Sequence, residues 1–220
     1  MSAKLDLFSA FAEVARALGN AHRLDLLEQL AQGERAVEAL AAKASLTVAN
    51  TSQHLQALRR AGLVLGARRG KQIVYRVSDG DVLDLVAALR TVGERHNDGV
   101  KAVVGDYFHA RDGLEAVSFD ELRRKMADGL VTLLDVRPPD EFADGHVPGA
   151  LNVPLTELDL WLRDGPPGSE VVAYCRGPWC VLAFEAVARL RSKGCTASRL
   201  DGGLPEWRRA GLPVEQPVQW

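Results

Sequence analysis

The sequence predicts two domains in tandem, a mainly α unit that closes on a β-hairpin and an α/β unit built on a parallel sheet covered by helices. Length is the first reason. At 220 residues the chain exceeds one small domain and suits two of about 100 residues each. Periodicity is the second: the first half has apolar residues at helical spacing around one pair of β-branched runs, whereas from Ser118 continuous apolar runs alternate with helical stretches. Charge and thiol placement are the third. Residues 1–111 hold 15 Lys/Arg against 12 Asp/Glu, a balance of +3, and residues 112–220 hold 12 against 17, a balance of −5, while Cys175, Cys180 and Cys195 all fall in the last quarter. With 47% hydrophobic and 25% charged residues, each half has the material for a core.

In the first half Leu7, Phe11, Val14 and Leu18 mark one helix. Asn20 can cap a second holding Leu24, Leu27 and Leu30, which Gly33 ends. A short helix follows through Val37 and Leu40, then a turn at Ser45 and a third long helix capped by Thr47 and stopped by Gly62. The runs Leu63–Arg68 and Gln72–Val77 flank Arg69-Gly70-Lys71 as a hairpin tip. Helix, turn, helix and hairpin make a winged helix-turn-helix with a β-hairpin wing. Beyond Ser78, the residues Val82, Leu85, Val86, Leu89 and Val92 line one face of a longer helix expected to loosen near Asn97-Asp98-Gly99. In the second half Ser118 and Glu121 form a capping box. Val131–Val136 and Val171–Tyr174 are strands, and residues 156–163 and 181–192 are helical, the alternation of a parallel sheet. No apolar run approaches the roughly 18 residues of a membrane span, and the N-terminus carries acids and lacks a cleavage signal, so a cytoplasmic protein without membrane contact is expected. An odd cysteine count does not describe a disulfide framework and directs attention to thiol chemistry.

Residues 39–78 contain Lys43, Arg59, Arg60, Arg68, Arg69, Lys71 and Arg76 and no acid, a local excess that suits a polyanion. In the third long helix Thr51, Leu55 and Leu58 face the core, which turns Ala49, Asn50, Gln53 and Gln56 outward. Side-chain amides there can bond to adenine edges in the major groove, and a small Ala can touch a thymine methyl. Ser52, His54, Arg59 and Arg60 beside them, and Arg68, Arg69 and Lys71 on the wing, are phosphate-contact candidates. Any one of these residues also fits a merely solvated face; forty residues without an acid favour the set. Double-stranded DNA is the expected partner.

The segments LGNAHRLDLLEQL, TSQHLQALRRAGLV and RRGKQIVYRV resemble the ArsR family of small dimeric bacterial repressors over about residues 5–95. The resemblance implies a homodimer built on the first and last helices of the module, binding an imperfect palindromic operator. The inducer site departs from the family pattern. Where metal-sensing members carry cysteines this chain has Glu34-Arg-Ala-Val-Glu-Ala-Leu, and Asp81, Asp84, His96 and Asp98 lack a zinc-ligand spacing, so no metal site is expected.

From Ser118 to Pro213 the segments LLDVRPPDEFADGHVPGALNVP, VVAYCRGPWCVLA and LDGGLPEWRRAGLPV resemble a single rhodanese domain, in which a cysteine ends a central strand and a short loop curls around it into the next helix. That place falls to Cys175, with Arg176, Gly177, Trp179, Cys180 and Val181 shaping the loop. A cysteine at a strand's carboxyl end, facing backbone N–H groups and a helix N-terminus, has a stabilised thiolate. Attack on a sulfane sulfur would leave a persulfide cradled by the amides of residues 176–181, with Arg176 adding positive charge. The alternative is a small core hydrophobe. Phosphatase relatives close a longer loop with arginine six positions after the cysteine; position 181 is Val. Pro178 stands where the sulfurtransferase loop has glycine and removes one amide donor. Cys180 stands where that loop has arginine or threonine, and it either resolves a Cys175 persulfide by forming a Cys175–Cys180 link or packs at the helix start. Cys195 reads as buried and inert. Trp179 either lines the pocket lip or covers the loop. Asp135, Arg137, Asp140–Phe142 and His146–Ala150 take structural places in this resemblance, His146 as a turn residue.

These readings divide the chain into a DNA-binding and dimerisation domain over 1–96, a helical linker over 97–117 and a rhodanese-like domain over 118–220. They lead to a repressor that senses reactive sulfur through Cys175 and Cys180, its donor a persulfide, polysulfide or thiosulfate, with no cofactor. A sulfurtransferase that uses the winged helix to dimerise or localise is the alternative, and a binding module with an idle loop is the third reading.

Overall fold

The computed structural model describes residues 2–109, 116–164, 168–178 and 180–216. The chain divides into two compact units, Met1–Thr91 and Val92–Trp220.

In the first unit, α1 (Ala3–Leu18) leads to α2 (Ala21–Ala31), whose cap Asn20 accepts a hydrogen bond from the Arg23 backbone N–H at 3.2 Å. A short strand β1 (Arg35–Ala36) precedes α3 (Val37–Lys43); Ser45, at φ +53°, turns the chain into α4 (Val48–Arg60). Thr47 caps α4 by accepting the Asn50 N–H at 3.2 Å. The hairpin is β2 (Val64–Arg69) and β3 (Gln72–Val77), with Arg69 opposite Gln72 and Gly70, at φ +61°, in the turn. The first strand therefore begins and ends one residue later than the periodicity predicts. A two-stranded ribbon is marginal alone, and β1 completes it, giving an antiparallel sheet in the order β1-β3-β2. Leu26, Leu27, Leu40, Leu55, Leu58 and Val64 form the fully buried centre beneath the helices. Helix α5 (Gly80–His96), which runs past the end of the first unit at Thr91, breaks at Asn97, within the stretch where the sequence predicts that it loosens. It stops because Asn97 accepts the Val100 N–H at 3.1 Å and starts a new helix, α6 (Asp98–Val103), followed by a π-helical turn at Val104–His109.

In the second unit Ser118 caps α7 (Phe119–Ala127). The strands β4 (Val131–Asp135), β5 (Leu151–Asn152), β6 (Glu170–Cys175) and β7 (Ala197–Gly203) form a parallel sheet in the order β5-β4-β6-β7. The connections include α8 (Pro139–Ala143), α9 (Leu158–Trp161), α10 (Val181–Ser192) and, after β7, α11 (Leu204–Arg209). Strand β6 reads as an unbroken apolar run because it is interior and covered on both faces. Val171, Ala173 and Cys175 pack with Ala183, Ala186, Val187 and Leu190 of α10, whereas Val172 and Tyr174 pack with Leu122 of α7 and Leu204 and Trp207 of α11. The period-two alternation thus sends the Cys175 side chain toward α10.

Candidate functional site

Cys175 is the last residue of β6 and is fully buried. The chain leaves the strand through Arg176, Gly177 and Pro178 and enters α10 at its cap, Cys180, whose N–H donates to the Gly177 carbonyl at 3.1 Å. Five residues suffice to bring the two Cα atoms to 6.1 Å, and Cys175 and Cys180 are joined as a disulfide, a separation ordinary for such a bond. Val181 opens α10. Trp179 lies outside the described residues.

The loop is held from two sides. At the end of β7, which pairs with β6, the Cα of Gly203 comes so near that a Cβ there would lie 2.5 Å from the Cys175 carbonyl oxygen and 2.4 Å from the Gly177 nitrogen. On the other side Arg176 donates through Nε and Nη2 to the two carboxylate oxygens of Glu141 on α8, at 2.9 and 2.8 Å. Glu141 is fully buried, so the charge that the sequence reading assigns to the cradle is committed to a carboxylate partner. Asp135 at the end of β4 and Arg137 form a second ion pair, with both side chains inaccessible. Burial works against the Arg137 cation, and the hydrogen bonds and charge of Asp135 outweigh it and raise its pKa. Burial raises the pKa of the free thiol of Cys195 above the ordinary thiol value, against formation of the reactive thiolate. His146 is buried, stacks on Phe142 with ring centroids 3.7 Å apart, and forms an antiparallel bridge with Glu215 rather than sitting in a turn.

In the first unit Thr51, Leu55 and Leu58 of α4 are fully buried. Ala49, Asn50, Gln53, Gln56, Arg59 and Arg60 are exposed, with Ser52 and His54 partly so. Burial, the Arg23 guanidinium and His22 together hold the His54 pKa below the ordinary imidazole value; a neutral ring meets a phosphate by hydrogen bonding rather than by charge. On the wing, Arg68 donates through Nε to the Gly70 carbonyl at 3.2 Å, Arg69 is ion-paired with Glu34, and Lys71 is exposed. The pairing partners Glu141, Gly203 and Glu34 were not visible as such in the sequence. Each acts at long range, and no local pattern announces such a contact.

Two family profiles match the chain, "Bacterial regulatory protein, arsR family" over residues 20–65 and "Rhodanese-like domain" over residues 118–210. The HTH-type transcriptional regulator Rv0324 of Mycobacterium tuberculosis is 42% identical over 97% of this chain and 93% of its own length. The chain is an ArsR-family transcriptional regulator with a rhodanese-like domain. Partial relatives of this regulator match one half or the other. A sulfurtransferase of Allochromatium vinosum is 33% identical over 46% of the chain and 94% of its own length. A homodimeric winged helix-turn-helix DNA-binding domain from Mycobacterium bovis, solved by NMR, is 40% identical over 44% of the chain and 90% of that one, with a TM-score of 0.42. Among the described residues of the regulator no helix is long and apolar enough to cross a membrane.

Proposed function

We propose that this regulator is a repressor that responds to reactive sulfur, with residues 118–220 as the sensing domain, 1–96 as the DNA-binding and dimerisation domain and 97–117 as a helical linker between them. The observation that carries the proposal is the partnership of Cys175 with Cys180 at the junction of β6 and α10. In the reduced protein the Cys175 thiolate attacks the terminal sulfur of a persulfide donor RSSH, forming Cys175–S–SH and releasing RS⁻. The Cys180 thiolate then attacks Sγ of Cys175, the disulfide forms, and hydrosulfide leaves. Two thiols and RSSH become one disulfide, RSH and H₂S, so the thiols are oxidised and the sulfane sulfur is reduced without another reactant. The reaction takes place in the cytoplasm on a homodimer bound to an imperfect palindrome, with Gln53, Asn50, Gln56 and Ala49 on base edges and Ser52, His54, Arg59, Arg60, Arg68, Arg69 and Lys71 on the backbone.

Operator binding measured before and after treatment with polysulfide tests this. Wild type is expected to change its affinity, Cys175→Ser to be indifferent, and Cys180→Ser to load sulfur without the change in affinity. A Cys180→Ser protein that responds as wild type does would remove the disulfide from signalling. The second reading, a sulfurtransferase, is favoured by the relative of that name, and steady turnover of thiosulfate with a thiol acceptor would establish it.

A further inference from the structure

We propose that the cleft between α1, α2 and the end of α4 is a binding site for a small phosphate monoester. The cleft belongs to the first unit and gives that unit a ligand input of its own, independent of the thiol pair in the second. Its volume is about 380 Å³, enough for a small organic molecule. Ala17 is buried and Ala57 and Ala61 are half-buried, so short methyl groups form the floor. Around them stand Arg16, Arg23 and Arg60 with one acid, Glu13. Three guanidiniums against one carboxylate leave a balance of +2 at the cleft, which calls for a dianion.

The arginines differ in how firmly they are held. Arg23 donates through Nη2 to the Arg16 carbonyl at 2.8 Å and through Nε to the Ala17 carbonyl, two of the acceptors that the last turn of α1 leaves open. These bonds fix the guanidinium and use two of its five N–H donors. Among the described residues no carboxylate pairs with Arg23 or with Arg60. Arg16 meets Glu13 at 3.6 Å, with the two side chains 70% and 74% exposed, and such a pair holds weakly in water. The positive field of Arg23 extends along α4 to His54, whose pKa is lowered by burial, by Arg23 and by His22. A phosphate monoester brings nearly two negative charges and three acceptor oxygens at neutral pH, and the planar guanidinium fork meets two such oxygens at once. A carboxylate would leave part of the positive charge unmatched. Inorganic phosphate would leave the alanine floor uncovered, whereas the organic group of an ester buries it.

A phosphate of the DNA backbone has the same head-group chemistry, and the experiment separates the two sources. The full-length protein is titrated calorimetrically with phenyl phosphate and with inorganic phosphate at physiological ionic strength, and duplex DNA binding is measured on the same variants. Saturable binding of one phenyl phosphate per protomer is expected, tighter than that of inorganic phosphate. Arg16→Gln and Arg60→Gln should each weaken it about tenfold or more, the loss of a charged hydrogen bond. Both side chains are exposed, so neither substitution opens the core; Arg23→Gln should lose binding as well, with a lower Tm because its bonds to α1 go with it. Absence of saturation, or an affinity for phenyl phosphate that Arg16→Gln and Arg60→Gln leave unchanged, would overturn the proposal. Equal affinity for inorganic phosphate would overturn the assignment of an ester. Variants that lose affinity for every duplex, in a protein that ignores phenyl phosphate, would give the cleft to the DNA backbone and overturn the small-molecule site.

Discussion

Arg137 keeps a charge in the interior of the second unit, and the main counter-charge that makes that tolerable is Asp135, two positions away. Asp135 receives hydrogen bonds from the Arg137 backbone N–H and its guanidinium, and Arg137 Nη2 also reaches the Gly145 carbonyl at 2.8 Å. Removing one member of such a pair leaves an uncompensated buried charge, which costs about 3–5 kcal/mol, while replacing both with apolar residues of similar volume is often close to neutral. Asp135→Ala should lower the unfolding free energy by that amount in urea titration, and Asp135→Leu combined with Arg137→Met should recover most of it. A double variant as unstable as the single one would mean that the pair contributes more than mutual neutralisation. Arg176 and Glu141 repeat the arrangement at the thiol loop itself, so a charge pair adds to packing in holding the loop.

At the scale of elements, the cysteine loop depends on the junction of β7 and α11. Gly203 has an extended backbone that any residue can adopt, at φ −134°; what requires glycine is space, since an added Cβ would meet loop backbone at 2.4–2.5 Å. Gly203→Ala should shift the loop, destabilise the unit by about 1–3 kcal/mol as other overpacked sites do, and slow formation of the Cys175–Cys180 peptide under polysulfide. Linkage at the wild-type rate would show that the loop closes without this support. The wing makes a separate prediction. Arg68→Ala and Lys71→Ala should weaken binding to all DNA sequences alike, each reducing the salt slope by about 1, whereas Gln53→Ala should relax sequence preference; identical behaviour of the two kinds on specific and scrambled DNA would refute the groove assignment. Elements of this kind were legible in the sequence wherever their signal is local. Asn20, Thr47 and Ser118 all cap as their residue types imply, and α10 runs over 181–192 as its apolar spacing implies. Legibility ends where a partner is distant. Nothing near Arg35 shows that two residues will pair with β3, nothing near Arg176 points to Glu141 thirty-five positions earlier, and nothing local distinguishes Gly203 from the adjacent Gly202 as the glycine that meets the loop.

The whole molecule presents apolar surface that its own first unit does not cover. On α1, Leu5, Leu7, Phe8 and Phe11 are 52–59% exposed, and on α5 Leu85 and Leu89 are 42% and 46% exposed. Patches of large apolar residues on a small unit mark an interaction site, and a closed symmetric dimer is the commonest way to bury one. The two helices that carry these residues are the first and last of the winged module, the places where the ArsR resemblance puts the dimer contact. A dimer would also suit the proposed palindromic operator, since two-fold protein symmetry is mirrored in two-fold related half-sites. The full-length protein should therefore sediment as a dimer at micromolar concentration, and Phe8→Glu with Leu89→Glu should shift it to monomer by placing unpaired carboxylates in the interface. Because each protomer then offers one recognition helix, the same double variant should lose operator affinity and retain weak, salt-sensitive binding to any duplex. A monomeric wild type in light scattering would remove the partner from this surface, and an operator affinity unchanged in the double variant would separate DNA recognition from dimerisation.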